Sequence, residues 1–281
     1  MKKKWTGERL ETFIYNRDAI DHLHRYALVS NFIESKIILD IASGEGYGSH
    51  LMCEKASFVY GVDIDELTIS KAKLKYQKKN LEFLVGNTSA IPLENQSVDV
   101  VISFETIEHH DEHEQMMVEI KRVLKPNGIV VISTPDKKYY SDLRNFHNQF
   151  HVKELYKNEF VNLLSTYFKN IQLFNQRYCN GNSIIYEDIS DHQLKFYSGN
   201  YSQININEPH PLYLIAIMSD SSLKLQYGSF FDGNEILKEQ IDRENAIVYK
   251  SNTYKLGHFL LRPLKFLKKC YKNVIHNNPI L

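Results

Sequence analysis

The chain has 281 residues, equal numbers of basic and acidic side chains, and 43% hydrophobic residues. This composition predicts a packed globular protein, and the balanced charge excludes polyanion binding over the whole surface as a default. Three scattered cysteines lack a metal-site spacing and a paired framework, which favours a reducing, cytoplasmic location. Since polar residues follow "MKKKW" and no apolar run reaches about 18 residues, neither a secretory leader nor a membrane span is expected.

From residue 37 onward, short apolar runs alternate with helical patterns. Five buried strands are predicted at KIILDIA, SFVYGVDI, LEFLVG, VDVVISF and GIVVIST, and Asp111 is expected to cap the helix before the fifth. Such alternation is typical of a parallel sheet with helices on both faces. KNIQLFNQ and PLYLIAIMSD predict two further strands, which run antiparallel to each other. The expected fold class is therefore α/β, with a Rossmann-like, seven-stranded, mostly parallel sheet and an antiparallel last strand.

Three regions are predicted along the chain: N-terminal cap helices over 1–36, the α/β domain over 37–220, and a helical tail over 221–281. An irregular insertion over 178–210, rich in Asn, Tyr and Ser, is expected between the last two strands. From residue 249 onward, seven basic residues stand among apolar ones and no acidic residue occurs. This pattern favours an anionic membrane surface or a partner protein bound through 249–275, or packing on the protein's own surface.

The stretch DIASGEGYG, Asp40 to Gly48, predicts a sharp turn from the first strand into a helix, where the backbone approaches a ligand closely. Its glycines follow G-x-G-x-G, and Ser49 stands where a dinucleotide-binding turn has its third glycine. Asp40 and Glu45 would repel a pyrophosphate, and no G-K-[ST] follows. S-adenosylmethionine fits better, because it carries an ammonium, a carboxylate and a sulfonium but no phosphate.

Two later strand ends carry side chains suited to adenosine. Asp63 lies 17 residues after Gly46, where a carboxylate accepts hydrogen bonds from both ribose hydroxyls. Asn87 follows the third strand and is expected to meet the adenine edge. Ile64 and Ile91 are expected to sandwich the adenine ring.

Four segments resemble, in order and spacing, consecutive motifs of class I S-adenosylmethionine-dependent methyltransferases of the type 11-like group: ILDIASGEGYGSHLM, VYGVDID, FLVGNTSAIPLENQSVDVVISFETIEHH and EIKRVLKPNGIVVISTP. The resemblance implies S-adenosylmethionine as cofactor. It assigns Asp40, Gly44 and Gly46 to the methionine part, Asp63 to ribose, and Asn87, which replaces the family's commoner Asp, to adenine. The other residues expected at the cofactor are Ala42, Ile64, Thr88 and Phe104, with His24, Arg25 and Tyr26 closing over it from DHLHRYAL.

Methyl transfer is an in-line displacement, so the protein must align the nucleophile and remove the proton of a hydroxyl acceptor. His109, after the fourth strand, is the first candidate for the general base, and His151 in NQFHVKEL is the second. Glu105 is expected to hold the methionine end or an acceptor hydroxyl. Packing or helix capping is the alternative role for both histidines. The spacing of His109 and His113 allows a two-histidine pair but matches no familiar zinc motif, so no functional metal is expected.

The N-terminal segment, the NQFH motif and the basic tail together resemble methyltransferases of capsule and O-antigen polysaccharide biosynthesis. This resemblance implies O-methylation of a sugar, nucleotide sugar or glycan, or of its terminal phosphate, by a cytoplasmic enzyme that binds peripherally to the inner membrane. A small metabolite or quinone-like phenol is the alternative acceptor, and a non-catalytic cofactor-binding subunit is the alternative function. Nucleic acid is not expected as a partner, because the core shows no basic face, and homo-oligomer formation is left open.

Overall fold

The computed structural model describes residues 9–187, 194–208, 210–261 and 263. They belong to two compact units, one ending at Asn234 and the other beginning at Glu235. The strands are β1 (Ile37–Ile41), β2 (Phe58–Asp63), β3 (Leu81–Val85), β4 (Val98–Phe104), β5 (Leu124–Pro135), β6 (Asn170–Cys179), β7 (Asn182–Glu187), β8 (Phe196–Asn200), β9 (Gln203–Asn207), β10 (Tyr213–Ser219) and β11 (Ser229–Asp232). The α-helices are α1 (Arg17–Val29), α2 (Tyr47–Met52), α3 (Glu66–Lys75), α4 (His113–Val123), α5 (Lys137–Tyr140), α6 (Lys157–Tyr167) and α7 (Asn234–Lys250).

Nine strands of the first unit form one sheet in the order β11-β7-β6-β10-β5-β4-β1-β2-β3. The strands β1 to β5 pair in parallel, and β10 runs antiparallel to both β5 and β6. This arrangement confirms the predicted Rossmann-like class, the parallel sheet and the antiparallel β10. It places the carboxyl ends of β1, β2 and β4 side by side at one edge of the sheet.

The sheet is covered on both faces because its central strands alternate their apolar side chains. Along β4, Val101 packs in a core cluster with α4 and α6, whereas Val100 and Ile102 pack on the opposite face. Helix α1 covers that second face through Leu28 and Val29. Each face of the sheet is therefore sealed by helices, and the open strand ends are where a ligand can reach the backbone.

The segment 178–210 contains more regular structure than the sequence analysis predicted. Asn180 and Gly181 both have positive φ and join β6 to β7 as a two-residue hairpin turn. A second hairpin, β8–β9, forms its own two-stranded sheet. The main sheet has nine strands rather than seven, because β7 and β11 extend it beyond β6.

Two further expectations differ from the structure. Helix α4 begins after Glu112, with no side-chain hydrogen bond at its N-cap, so Asp111 does not cap it. Strand β11 pairs with β7, so the first unit extends to Asn234 rather than ending at residue 220.

The second unit contains most of α7, followed by a helical stretch over residues 252–261. The basic residues from Lys265 to Lys272, with Arg262, lie outside the described residues. Within the described part of the chain, no helix is both long enough and apolar enough to cross a membrane.

The β6–β7 turn provides a test of the strand topology. Gly181 has φ of +88°, so Gly181→Ala should lower the free energy of unfolding by about 1–2 kcal/mol in urea denaturation. Gly257→Ala is the control, because its helical position leaves open space around an added Cβ. An unchanged stability of Gly181→Ala would contradict the hairpin.

Candidate cofactor and catalytic site

A cavity of about 400 Å³ lies at the carboxyl ends of β1, β2 and β4. Ligands of open α/β sheets bind at this edge, and the volume falls in the range of small-molecule sites. The cavity is lined by most of the predicted site residues, namely Tyr26, Ala42, Gly44, Asp63, Ile64, Asn87, Thr88, Phe104, Glu105 and His109. Six predicted residues are not part of its lining: His24, Arg25, Asp40, Gly46, Ile91 and His151.

The two glycines of the turn after β1 have different roles. Both are left-handed, with φ of +55° at Gly44 and +87° at Gly46. A Cβ on Gly46 would lie 2.5 Å from the ring of Phe83, whereas a Cβ on Gly44 would meet no atom within 4 Å. Gly46 is therefore required for packing the turn. It does not line the cavity, and its contact with the cofactor stays a prediction. Gly44 keeps space open in the cavity.

Two lining residues that are not glycine also have left-handed backbone conformations. Ala42 has φ of +62° at the end of β1, and Glu105 has φ of +49° at the end of β4. Such conformations cost about 1–3 kcal/mol each and cluster at functional sites. Both positions were predicted at the site from their motifs, and the strain adds an independent structural reason to place function there.

The carboxylate of Asp63 is buried and holds the two neighbouring strand ends together. Its Oδ2 accepts a hydrogen bond from the Gly44 N–H at 2.9 Å, and its Oδ1 accepts one from the Asp65 N–H at 3.0 Å. The Arg9 guanidinium donates to the same Oδ1 at 3.3 Å and to Asp65 at 2.9 Å. The N-terminal segment therefore lies against the acid predicted to bind ribose, and a ribose bound there would share that acid with Arg9.

Asp40 is buried and does not line the cavity. Its Oδ2 accepts a hydrogen bond from the Ser49 hydroxyl at 2.6 Å, and burial raises the pKa of Asp40 to about 7. The predicted contact with the methionine part of the cofactor is therefore corrected, because this carboxylate ties β1 to α2. The bond also explains why Ser49, and not glycine, follows the turn.

The adenine prediction is changed in two respects. The Asn87 Oδ1 accepts hydrogen bonds from the Ser89 N–H at 3.1 Å and the Thr88 hydroxyl at 3.2 Å, so the oxygen expected to read adenine is used by its own loop. Ile91 is 3% exposed and packs in the core, so the predicted sandwich is wrong on that side. Ile64 lines the cavity and is exposed, as the prediction requires.

Arg25 is fully buried and acts through Glu105. Its Nε donates to the Gln176 Oε1 at 2.7 Å, and its Nη1 lies 3.3 Å from the Glu105 Oε1. The Ser133 hydroxyl donates to the same oxygen at 2.6 Å. Arg25 therefore does not close over the cofactor as predicted. It fixes the carboxylate that lines the cavity.

His22, rather than His24, is the α1 histidine at the cavity. His24 is buried beside the Ser229 hydroxyl at 2.9 Å, and burial lowers the pKa of His24 to about 4. His22 lines the cavity, with its Nδ1 3.0 Å from the Tyr47 hydroxyl. His22 was not among the predicted residues, although it precedes Tyr26 by four positions and so shares its helical face.

His109 has the geometry of a general base. Its Nδ1 lies 2.9 Å from the Phe150 carbonyl oxygen, which can only accept, so Nδ1 carries the proton and the lone pair is on Nε2. That Nε2 lies 4.0 Å from the Glu108 Oε1. Burial, and then the nearby Glu105 carboxylate, raise the pKa of Glu108 well above its usual range.

His151 lies next to His109 but not on the cavity wall. Its ring centroid is 5.2 Å from that of His109, its Nδ1 lies 2.5 Å from the Glu154 Oε1, and its Nε2 lies 2.9 Å from the Asn148 amide nitrogen. His113 instead bonds the His110 carbonyl oxygen at 2.8 Å, so its ring caps the backbone. The candidate histidine pair beside the cavity is therefore His109 and His151.

Known proteins similar to this chain are methyltransferases. Residues 39–132 match the model of a family described as a methyltransferase domain. Over 168 residues the chain is 35% identical to a probable S-adenosylmethionine-dependent methyltransferase of Mycolicibacterium smegmatis, which covers 57% of this chain and 63% of that protein. Over 100 residues it is 42% identical to the demethylmenaquinone methyltransferase of Lactococcus lactis, covering 34% and 40% respectively. The chain thus spans less than two thirds of either relative.

A solved structure shows the same fold. It is an S-adenosylmethionine-dependent methyltransferase of Thermotoga maritima, with a TM-score of 0.53, 14% identity, and coverage of 73% of this chain and 92% of that one. The matched domain and the relatives show that this chain is similar to S-adenosylmethionine-dependent methyltransferases over part of its length. With the fold, they imply S-adenosylmethionine as the cofactor. The residues fit this group, because open space in front of Gly44 adjoins the Asp63 carboxylate in one cavity.

The two turn glycines give a matched test of the cofactor site. Gly44→Ala should cost about 1 kcal/mol of stability but weaken S-adenosylhomocysteine binding at least tenfold, because its Cβ enters the cavity. Gly46→Ala should cost more stability, about 2–4 kcal/mol, because Phe83 must also move. Thermal melting and calorimetry measure both effects. Unchanged ligand affinity in Gly44→Ala would refute the placement of the cofactor.

Proposed function

We propose that the chain is an S-adenosylmethionine-dependent methyltransferase that methylates a hydroxyl oxygen. The observation that carries the proposal is the position of His109. It lines the cofactor cavity, and the Phe150 carbonyl fixes its proton on Nδ1, so that Nε2 is the basic nitrogen. A base in this position suits an oxygen acceptor, because a hydroxyl must lose its proton as it attacks.

The chain's own residues divide the work of the proposed reaction. When bound, S-adenosylmethionine supplies an electrophilic sulfonium methyl group. Asp63 accepts hydrogen bonds from the ribose hydroxyls, and the left-handed turn at Gly44 leaves room for the methionine part. Glu105, held by Arg25 and Ser133, orients an acceptor hydroxyl, and His109 Nε2 accepts the proton of that hydroxyl. In-line alignment supplies the rest of the rate enhancement.

The proposed acceptor is a sugar, nucleotide sugar or glycan of surface polysaccharide synthesis, with a terminal phosphate as the variant. A second cavity of about 590 Å³ supports it, since Tyr139, Tyr156 and Tyr186 line it together with Asp136 and Lys157. Aromatic faces beside charged groups suit a ligand with apolar ring faces and many hydroxyls. Tyr186 lies in the 178–210 segment, the Asn- and Tyr-rich insertion between the last two predicted strands.

A quinone-like phenol is the second candidate acceptor. It is favoured by the similarity to the demethylmenaquinone methyltransferase of Lactococcus lactis. The alternative without an enzymatic role is a non-catalytic subunit that binds the cofactor. Cofactor binding without turnover on sugar, phosphorylated glycan or phenol acceptors would support it.

The described part of the tail is consistent with binding to a membrane surface. Leu256, Phe259 and Leu260 are exposed in the same stretch as Lys250 and Lys255. Apolar side chains among lysines suit an anionic cytoplasmic leaflet. We propose a cytoplasmic protein that associates peripherally with the inner membrane or with a partner protein, and we do not propose nucleic acid as a partner.

The base role predicts a specific kinetic change. His109→Ala should lower kcat by about 10²–10⁴-fold, because the hydroxyl proton loses its acceptor, with little change in S-adenosylhomocysteine affinity. Transfer of labelled methyl groups to panels of nucleotide sugars, glycan phosphates and phenols measures kcat, and calorimetry measures affinity.

His50→Ala is the control, since His50 stacks on Tyr76 away from the cavity lining and should keep full activity. Full activity of His109→Ala would remove His109 as the base. Turnover confined to phenols would replace the sugar acceptor by the alternative.

A further inference from the structure

Beside the cofactor cavity, Glu108, His109 and His151 form a compact cluster of metal-binding side chains. One ligand atom from each lies within 4.8 Å of the other two. Glu108 and His109 belong to the short helical turn after β4, and His151 comes from the loop before α6. Because His109 also lines the cavity, the cluster adjoins the space where cofactor and acceptor would bind.

The buried carboxyl group of Glu108 is poorly satisfied by the surrounding protein. Its side chain is 1% exposed, and its Oε2 accepts a long hydrogen bond of 3.3 Å from the Thr134 hydroxyl. Among the described residues, its Oε1 has no hydrogen-bond partner. An unsatisfied buried carboxylate oxygen is costly, and native structures rarely leave one. This oxygen lies 4.0 Å from His109 Nε2, too far for a hydrogen bond but short enough for both atoms to contact one ion.

The partners of the two imidazole rings are those of metal-binding histidines. The His109 Nδ1–H donates to the Phe150 carbonyl at 2.9 Å, and the His151 Nδ1 lies 2.5 Å from the Glu154 carboxylate. In metal sites the second ring nitrogen commonly donates to such an oxygen, which orients the ring and raises its basicity. Both rings therefore direct Nε2 away from these anchors, as a metal would require.

The Asn148 amide occupies one of the ligand positions. Its Nδ2 lies 2.9 Å from His151 Nε2, and its Oδ1 accepts a hydrogen bond from the Phe150 N–H. An ion bound to His151 must replace this amide donor. Zinc–ligand bonds of about 2.0–2.1 Å place tetrahedral ligand atoms roughly 3.3 Å apart, so the most widely separated ligand atoms must approach each other by up to about 1.5 Å.

We propose that Glu108, His109 and His151 bind one divalent transition-metal ion, with Zn²⁺ the best match, and leave a coordination position toward the cofactor cavity. Two imidazoles and one carboxylate form a ligand set that suits Zn²⁺ and other borderline divalent ions, with Mg²⁺ and Ca²⁺ disfavoured by the nitrogen ligands. The binding claim stands apart from the proposed reaction. Its effect on catalysis rests on that reaction: a metal ion on His109 Nε2 would compete with the acceptor proton for the same lone pair.

The test is Zn²⁺ binding to the full chain, measured by calorimetry and by metal analysis after dialysis. The expected result is one Zn²⁺ per chain, with affinity lowered at least tenfold in each of Glu108→Gln, His109→Ala and His151→Ala. Co²⁺ absorption should report imidazole coordination in the wild type and lose it in His151→Ala. Asn148→Ala should bind Zn²⁺ more tightly than the wild type, because the competing amide is gone.

His147→Ala is the matched control, since it removes an exposed histidine of the same loop and should keep wild-type affinity. Thermal melting confirms that each variant is folded. Absence of Zn²⁺ binding by the folded wild type would overturn the proposal, as would binding that His147→Ala abolishes and His151→Ala retains. If Zn²⁺ fails to bind while S-adenosylhomocysteine binds, only the metal site is rejected. The reverse outcome rejects the proposed function and keeps the metal site.

Discussion

The site depends on one interaction, the hydrogen bond from the Gly44 N–H to the Asp63 carboxylate. It joins the turn after β1 to the end of β2 at 2.9 Å, inside a cavity wall where the carboxylate is only 4% exposed. Charge-assisted bonds of this kind are stronger than neutral ones, so the bond can hold a turn that needs left-handed backbone at Ala42 and Gly44. Gly44 and Asp63 both line the cavity, so the bond that fixes the turn also shapes the space proposed for the cofactor.

Buried polar groups outside the cavity lining position the side chains that form the lining. Asp40 ties α2 to β1 through Ser49, and Arg25 holds Glu105 while bonding Gln176 across the sheet. Removing one partner of a buried ion pair typically costs about 3–5 kcal/mol, since the other charge is left uncompensated. These groups therefore stabilise the geometry of the site from outside the cavity lining. This explains why the charged residues Asp40 and Arg25 are buried behind it.

Much of the fold was predictable because its signals are local. Apolar runs bounded by glycines and acids located β1 to β5, and the turn spacing excluded a dinucleotide. The antiparallel β10 also followed from its pattern. The Asn180–Gly181 hairpin signal was present in the sequence and was missed, which is why β7 was absent from the predicted sheet.

The site was harder to predict, because sequence places a residue at a strand end but does not show which way its side chain points. Asp63 is the last residue of β2 and Asp40 is the next to last of β1, yet Asp63 lines the cavity and Asp40 is bonded to Ser49 outside the lining. Gly44 and Gly46 belong to the same motif. Only the surroundings of an added Cβ distinguish them: at Gly46 it would meet the Phe83 ring, whereas at Gly44 it would enter open space. The pairing of His109 with His151 joins residues 42 positions apart through a loop whose path no periodic pattern indicates.

The most direct measurement is calorimetric titration of S-adenosylmethionine and S-adenosylhomocysteine into the wild type, Asp63→Asn and Asp65→Asn. Asn at residue 65 can still cap α3, so that variant alters the second carboxylate bound by Arg9 while preserving the helix start. We expect one molecule of either ligand to bind the wild type and Asp65→Asn at micromolar concentration, and Asp63→Asn to lose binding while remaining folded. Failure of the folded wild type to bind either ligand would contradict the account.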